Sequence, residues 1–457
     1  MKQQVNTRNI ILDILLEINE KNQFTHLILS DALKKYQYLS REDRAFISCV
    51  VRGTVERLIT IDYIINKFSK VNTEKMKPVI RNILRMAVYQ IVYMDSNADF
   101  AACDEAVKLA AKKGFVSLKG FVNGVLRNIS RNKGNIEFPA DDGNGIEYLS
   151  VCYSTPEWIV AKWINEFGRE QSERMLTAQF VKKPLTIRCN TARITPKELA
   201  NRLRQRGITV NDNMILPEAL SITDYDYLEK IPEFNEGLFF VQDISSMLVC
   251  HVANPKSNSY VIDLCAAPGG KSLHIAEMLD GTGYVEARDV SESKVFKIRE
   301  NIERLELENV AAIVKDARTT DELSIGKADI VIADLPCSGL GILCKKPDIK
   351  YHTTPMDCIE LVKLQREILK ASVDYVKPGG ALIYSTCTVN SEENADNVNW
   401  FLDNFPFKQD SIDEMLPESL RSDTTKEGYI QLLPGSIGIS ESEEGYDGFF
   451  IARFIRK

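Results

Sequence analysis

A chain of 457 residues is longer than one hydrophobic core serves, so two or three domains are expected. With 44% hydrophobic and 26% charged residues it reads as an ordinary globular protein; no apolar run approaches the ~20 residues of a membrane span, and the N-terminal residues lack the apolar core of a secretory signal, which points to the cytoplasm. The net charge of −7 is unevenly spread: residues 1–133 hold 22 Lys and Arg against 13 Asp and Glu, a net +9, and the remainder is −16, so a phosphate-bearing partner is expected at the front of the chain.

Residues 1–133 are predicted to be an all-helical bundle. Ile10, Ile11, Ile14, Leu15 and Ile18 recur at helical spacing, as do Phe46, Ile47, Val50 and Val51, and Ile80, Ile83, Leu84, Ala87 and Ile91. Thr7 and Ser40 are candidate N-caps. Residues 134–150, with Pro139, Asp141, Asp142, Gly143, Asn144 and Gly145, carry loop chemistry and are expected to link two domains. Residues 151–235 read as a small α+β subdomain, with helices over 158–167, 172–180 and 195–206 and a strand at 184–189. Residues 236–457 alternate strand and helix regularly. Predicted strands over 260–264, 284–287, 311–315 and 329–333 lead into Asp289, Asp316 and Asp334 at the ends of the second, third and fourth. A long helix over 357–376 stops at Pro378-Gly379-Gly380, and strands follow at 381–385 and 448–455. This is the pattern of a doubly wound, mostly parallel α/β sheet, whose ligands bind at the C-terminal ends of its strands.

The first strand of that sheet is followed by Cys265-Ala266-Ala267-Pro268-Gly269-Gly270-Lys271. Small residues here let backbone approach a ligand, and the helix they open turns free N–H groups toward it. The loop lacks the earlier glycine of a P-loop, which disfavours a phosphate. Asp289 can accept from ribose hydroxyls, and Asp316 stands where an adenine amine would lie. An acidic cleft with these parts suits the cationic nucleoside S-adenosylmethionine.

Two cysteines stand just past strand ends: Cys337 in Asp334-Leu335-Pro336-Cys337-Ser338, and Cys387 in Ser385-Thr386-Cys387-Thr388. A thiolate that adds to carbon 6 of a cytosine makes carbon 5 nucleophilic enough to take a methyl group. One thiol would be the nucleophile and the other its helper, with the choice left open by spacing alone. Asp334 can hold the base, and Lys271 can orient that carboxylate or favour a thiolate. The other cysteines form no CxxC pair, and the four histidines are dispersed, so no metal site is expected.

These motifs resemble those of the RNA cytosine-C5 methyltransferases, and the helical front section resembles the NusB antitermination factor. Together they resemble the RsmB/Sun (Fmu) family acting on 16S rRNA, over essentially the whole chain. The resemblance implies a NusB-like RNA-binding bundle, an RRM-like subdomain and a Rossmann-like catalytic domain of 236–457. It makes Cys387 the nucleophile and Cys337 the residue that assists release of methylated RNA. It assigns S-adenosylmethionine to Cys265, Ala266, Ala267, Pro268, Gly269, Gly270, Lys271, Asp289, Asp316 and Asp334. The substrate would be 16S rRNA, naked or in an early pre-30S particle, bound by a monomer with no membrane or metal. The rivals are a tRNA or 23S rRNA enzyme of the same chemistry and a non-catalytic RNA-binding regulator. Leu335 and Cys344-Lys345-Lys346 depart from the family pattern.

Overall fold

A computed structural model describes the chain except for residues 1–5, 95–98, 144, 214 and 437–445; Asn144 of the expected linker lies outside the described residues. Two compact units emerge. One comprises residues 1–180 with 343–353, the other residues 181–342 with 354–457.

The first unit begins with α-helices Thr7–Lys21, Thr25–Lys35, Arg41–Glu56, Leu58–Phe68, Pro78–Tyr93, Asp99–Lys112 and Lys119–Asn132. Helix Pro78–Tyr93 is buried on nearly every side, through Ile80, Ile83, Leu84, Ala87, Val88 and Ile91, and the amphipathic helices lay their apolar faces around it. Ser40 caps its helix through the Asp43 N–H at 3.0 Å, as expected. The first helix is capped by Asn6 rather than Thr7: the Asn6 side chain accepts the Asn9 N–H at 3.0 Å.

This unit runs beyond the expected boundary at 133. Helix Ile146–Tyr153 crosses the 150/151 division, and Glu157–Ala178 follows, broken at Gly168 with φ +75°. The reason is a capping debt. Helix Leu58–Phe68 has no side-chain cap of its own, and the Ser154 hydroxyl accepts its Ile59 N–H at 2.9 Å, while Thr60 donates to the Val151 carbonyl at 2.5 Å. Helix Thr25–Lys35 is likewise uncapped locally. Asp348, from the distant segment 343–353, accepts the Thr25 N–H at 2.6 Å. In the same segment the fully buried Lys350 donates to the Glu56 carbonyl at 3.0 Å, closing the end of Arg41–Glu56, and to Gln179 Oε1 at 2.8 Å. Burial draws the Lys350 ammonium down to about 7.

The second unit holds two sheets. In the smaller, β1 (Leu185–Cys189), β2 (Thr209–Asp212), β3 (Ala219–Thr223) and β4 (Phe239–Val241) lie in the order β2-β3-β1-β4, all antiparallel. With helix Pro196–Gln205 between β1 and β2, this is the ferredoxin-like arrangement. Ile187, Leu199, Leu203, Leu220 and Phe239 fill its core.

The larger sheet contains β5 (Tyr260–Asp263), β6 (Tyr284–Asp289), β7 (Val310–Val314), β8 (Ala328–Asp334), β9 (Val376–Thr386), β10 (Phe407–Gln409), β11 (Tyr429–Leu432) and β12 (Phe449–Arg456). Its order is β10-β12-β9-β8-β5-β6-β7, with β11 on β12. The five strands β7-β6-β5-β8-β9 are parallel, and β12 is antiparallel to β9. The strand order reverses between β5 and β8, the switch point at which such sheets bind ligands. Pro378-Gly379-Gly380, expected as a loop, lies inside β9, and a register irregularity between Ala328 and Ile330 of β8 accommodates it. Helix Ile244–Ala253 was not predicted; it is apolar nearly all round, so it shows no periodic stripe. Among the described residues no helix is long and apolar enough to cross a membrane.

Candidate active site

Register brings the two cysteines together. β8 and β9 are parallel neighbours with Asp334 opposite Ser385, so both strands leave the sheet at the same end and release Cys337 and Cys387 side by side. Their sulfurs lie 3.2 Å apart and both residues are partly exposed. The two loops are zipped beyond that point. The Gly341 N–H donates to the Cys387 carbonyl at 3.1 Å and the Gly448 N–H to the Gly341 carbonyl at 2.7 Å. A Cβ on Gly341 would stand 2.0 Å from the Gly448 oxygen, so this approach requires glycine. Ser338 Oγ and Thr388 Oγ1 form a further bond at 2.7 Å. Its hydrogen bond with Cys387, burial, and the nearby charge of Glu393 hold the Cys337 thiol well above the usual range.

Asp334 ends β8 with both carboxylate oxygens engaged: Lys271 Nζ donates to Oδ2 at 2.7 Å and Ser385 Oγ to Oδ1 at 2.7 Å. Burial opposes the Lys271 charge, but Asp334 and Asp263 outweigh it and hold the ammonium above its ordinary value. The Lys271 ammonium is thus held on the Asp334 carboxylate.

Beside this pair is a cavity of about 230 Å³ lined by Cys265, Ala266, Ala267, Pro268, Gly270, Lys271 and Asp334, and also by Asp263, Gln242 and Ser246. Gly269 is the turn itself, with φ +108°, at the head of helix Gly270–Met278. Neither thiol lines the cavity. Asp263, not singled out from the sequence as a site residue, is fully buried with Oδ1 unpartnered, and burial raises its carboxyl to about 7. An orphaned buried carboxylate oxygen beside small residues and a helix N-terminus fits a cationic ligand that carries a carboxylate, as S-adenosylmethionine does.

Besides Gly269, two further expected ligands do not line the cavity. Asp289 is buried and accepts the Ala267 N–H at 3.1 Å and the Val290 N–H at 2.7 Å, so it tethers the loop. Asp316 is gripped by the Arg318 guanidinium at 2.6 Å. A support that sequence reasoning missed is Arg188 on β1. It pairs with Glu277 at 2.7 Å, both nearly fully buried, donates to the Gly270 carbonyl at 3.1 Å, and bonds Gln242. The small sheet thereby holds the loop that opens the helix.

The histidines are less dispersed than the sequence suggested. His251 Nε2 lies 2.6 Å and His274 Nε2 4.0 Å from Glu218 Oε1, a trio whose donors could hold a metal ion; their separation along the chain conceals it. In the helical unit Arg127, Arg131 and Lys133 line a cavity of about 530 Å³ with Phe100, which is 67% exposed and carries the Arg127 guanidinium over its ring. This cation–aromatic surface lies in the section where a basic excess was read from sequence.

Comparisons with known proteins agree along the chain. Residues 250–455 match the family model described as 16S rRNA methyltransferase RsmB/F, residues 5–131 match the NusB family, and residues 155–225 match the RsmF/B-like methyltransferase ferredoxin-like domain. A probable ribosomal RNA small subunit methyltransferase B of Bacillus subtilis is 34% identical over 457 residues, covering 99% of each chain. The crystal structure of PH0851 is similar with a TM-score of 0.81 and 25% identity, covering all of both chains. A methyltransferase homolog protein from Pyrococcus horikoshii is similar with a TM-score of 0.58 and 27% identity, over 69% of this chain and all of that one.

Proposed function

Because the chain belongs to the RsmB/F family of S-adenosylmethionine-dependent methyltransferases, we propose that it methylates carbon 5 of a cytosine in 16S rRNA through a transient bond between Cys387 and carbon 6. The observation that carries this reading is the pair of thiols 3.2 Å apart at the ends of adjacent strands, next to Asp334 and its cavity.

Cys387, as thiolate, bonds carbon 6 of the cytosine and pushes electron density to carbon 5. Asp334, held by Lys271 and Ser385, receives the polar edge of the base and fixes its orientation. Lys271 keeps that carboxylate from turning away. When bound, S-adenosylmethionine would supply an electrophilic methyl group to carbon 5 and would leave as the neutral thioether. Carbon 5 then loses its proton to a base, the bond to Cys387 breaks, and the aromatic ring is restored. Cys337 assists that release. The cavity loop, with Asp263 and the N-terminus of helix Gly270–Met278, binds the cofactor. The base must be unpaired or extruded, because carbon 6 is out of reach within a stack. The Arg127–Lys133 surface with Phe100 contributes RNA affinity from the helical unit. The enzyme acts as a monomer on naked rRNA or an early pre-30S particle.

Cys387→Ala tests this reading. It is expected to bind RNA and cofactor and to transfer no methyl, whereas Cys337→Ala is expected to accumulate a covalent protein–RNA adduct on a denaturing gel. Near-normal turnover by Cys387→Ala would refute the assignment.

A further inference from the structure

Glu393 has no place in the chemistry above, yet it is fully buried beside the thiols. It ends a single helical turn, Ser391–Glu393, in the loop that follows Cys387. Its Oε2 accepts the Ser338 main-chain N–H at 2.9 Å and the Gln365 amide at 2.9 Å. Its Oε1 accepts the Ser338 hydroxyl at 2.5 Å and the Asn390 amide at 3.0 Å. All four donors are neutral. A carboxylate taken out of water without a cation is costly unless hydrogen bonds hold it, and a fold that needed only a packed core would place an apolar residue there. Two of the four bonds go to one residue, and that residue directly follows Cys337. The carboxylate therefore ties the Cys337 loop to the Cys387 loop from behind. Its charge also acts on Cys337 directly.

We propose that Glu393 is a positioning residue for the two-thiol step: its buried carboxylate clamps the backbone after Cys337 to the loop after Cys387, which keeps the Cys337 thiol within reach of the adduct during release. This rests on the covalent reading proposed above. The bond geometry leaves two of the four acceptor positions on Ser338, so a loss of the carboxylate frees the Cys337 loop first. The cofactor cavity, which Glu393 does not line, is left as it is.

The test is a double-mutant cycle in the full chain with Glu393→Gln and Cys337→Ala. Glu393→Gln is expected to bind S-adenosylmethionine as the wild type does, to turn over roughly 10- to 100-fold more slowly, and to accumulate the covalent RNA adduct. In the Cys337→Ala background the same substitution is expected to add little, because both act on one step. A purely structural role would instead multiply the two losses, and that result, or normal turnover of Glu393→Gln, overturns the proposal. Should Glu393→Gln fail to fold, Ser338→Ala, which removes one clamp bond from the opposite side, decides on the same adduct and turnover readouts. Failure of the covalent reading itself is separately visible: Cys387→Ala would then keep its turnover.

Discussion

Each unit carries a lysine in a largely desolvated place, fully buried at Lys350 and at a cavity wall at Lys271, and the two surroundings are opposite. In the helical unit Lys350 donates to a main-chain carbonyl and an amide oxygen, and burial draws its ammonium down to about 7. In the catalytic unit burial also opposes the charge on Lys271, yet the Asp334 carboxylate at 2.7 Å and the nearby Asp263 keep it fully cationic. Neutral acceptors make the first lysine a capping device that closes a helix end. A carboxylate at the rim of a ligand cavity makes the second a charge held in place for chemistry.

The sharpest way to break that contrast is to remove each charge. Lys271→Met is expected to lower turnover by about 10²- to 10³-fold, the scale of losing one electrostatic support at a reacting site, in a protein that still unfolds cooperatively. Lys350→Met is expected to leave turnover per folded molecule unchanged. Equal losses in a methyl-transfer assay would erase the distinction.

Within the catalytic unit, Asp263 should report the cavity's demand for negative charge. Its carboxyl is raised to about 7 by burial, so at lower pH the empty site holds a proton that a cationic ligand must displace. Affinity for S-adenosylmethionine, measured by titration calorimetry, is expected to strengthen up to about tenfold per pH unit on approaching 7 from below and to level off above it. Asp263→Asn should abolish the slope.

Lys350 makes the complementary prediction for stability. Its folded value lies below its unfolded one, so between about 7 and the ordinary lysine range the unfolded chain binds the extra proton and stability rises with pH. From pH 7 to 9 the rise in unfolding free energy should approach ~1.4 kcal/mol per unit in the wild type and be smaller by that amount in Lys350→Met, read from urea unfolding of the helical unit.

The smallest effects belong to the local caps of that unit. Ser40→Ala and Asn6→Ala are each expected to cost about 1 kcal/mol by chemical denaturation. Thr7→Ala, at a position the structure places inside the helix, should cost visibly less.

What the sequence determined by itself is what repeats locally. The apolar spacing that buries Ile80, Ile83, Leu84 and Ile91 is a helix signal wherever it occurs, and the acids of the parallel sheet were legible because a strand followed by a turn has a short-range signature. The small residues of 265–270 announced the cavity for the same reason. Tertiary structure alone decided the rest. The 3.2 Å between Cys337 and Cys387 is set by the pairing of Asp334 with Ser385, and Arg188 meets Glu277 across 89 positions of chain. Segment 343–353 joins the helical unit through Asp348, which caps helix Thr25–Lys35, and Lys350, which closes the end of Arg41–Glu56, while Ser154 caps Leu58–Phe68 from the stretch beyond residue 133. Glu393 carries no local signal, and its four donors are assembled only by the fold. A backbone periodicity is written within a few residues, whereas a buried polar group chooses its partner by satisfying hydrogen bonds across the fold, and no local pattern encodes that choice.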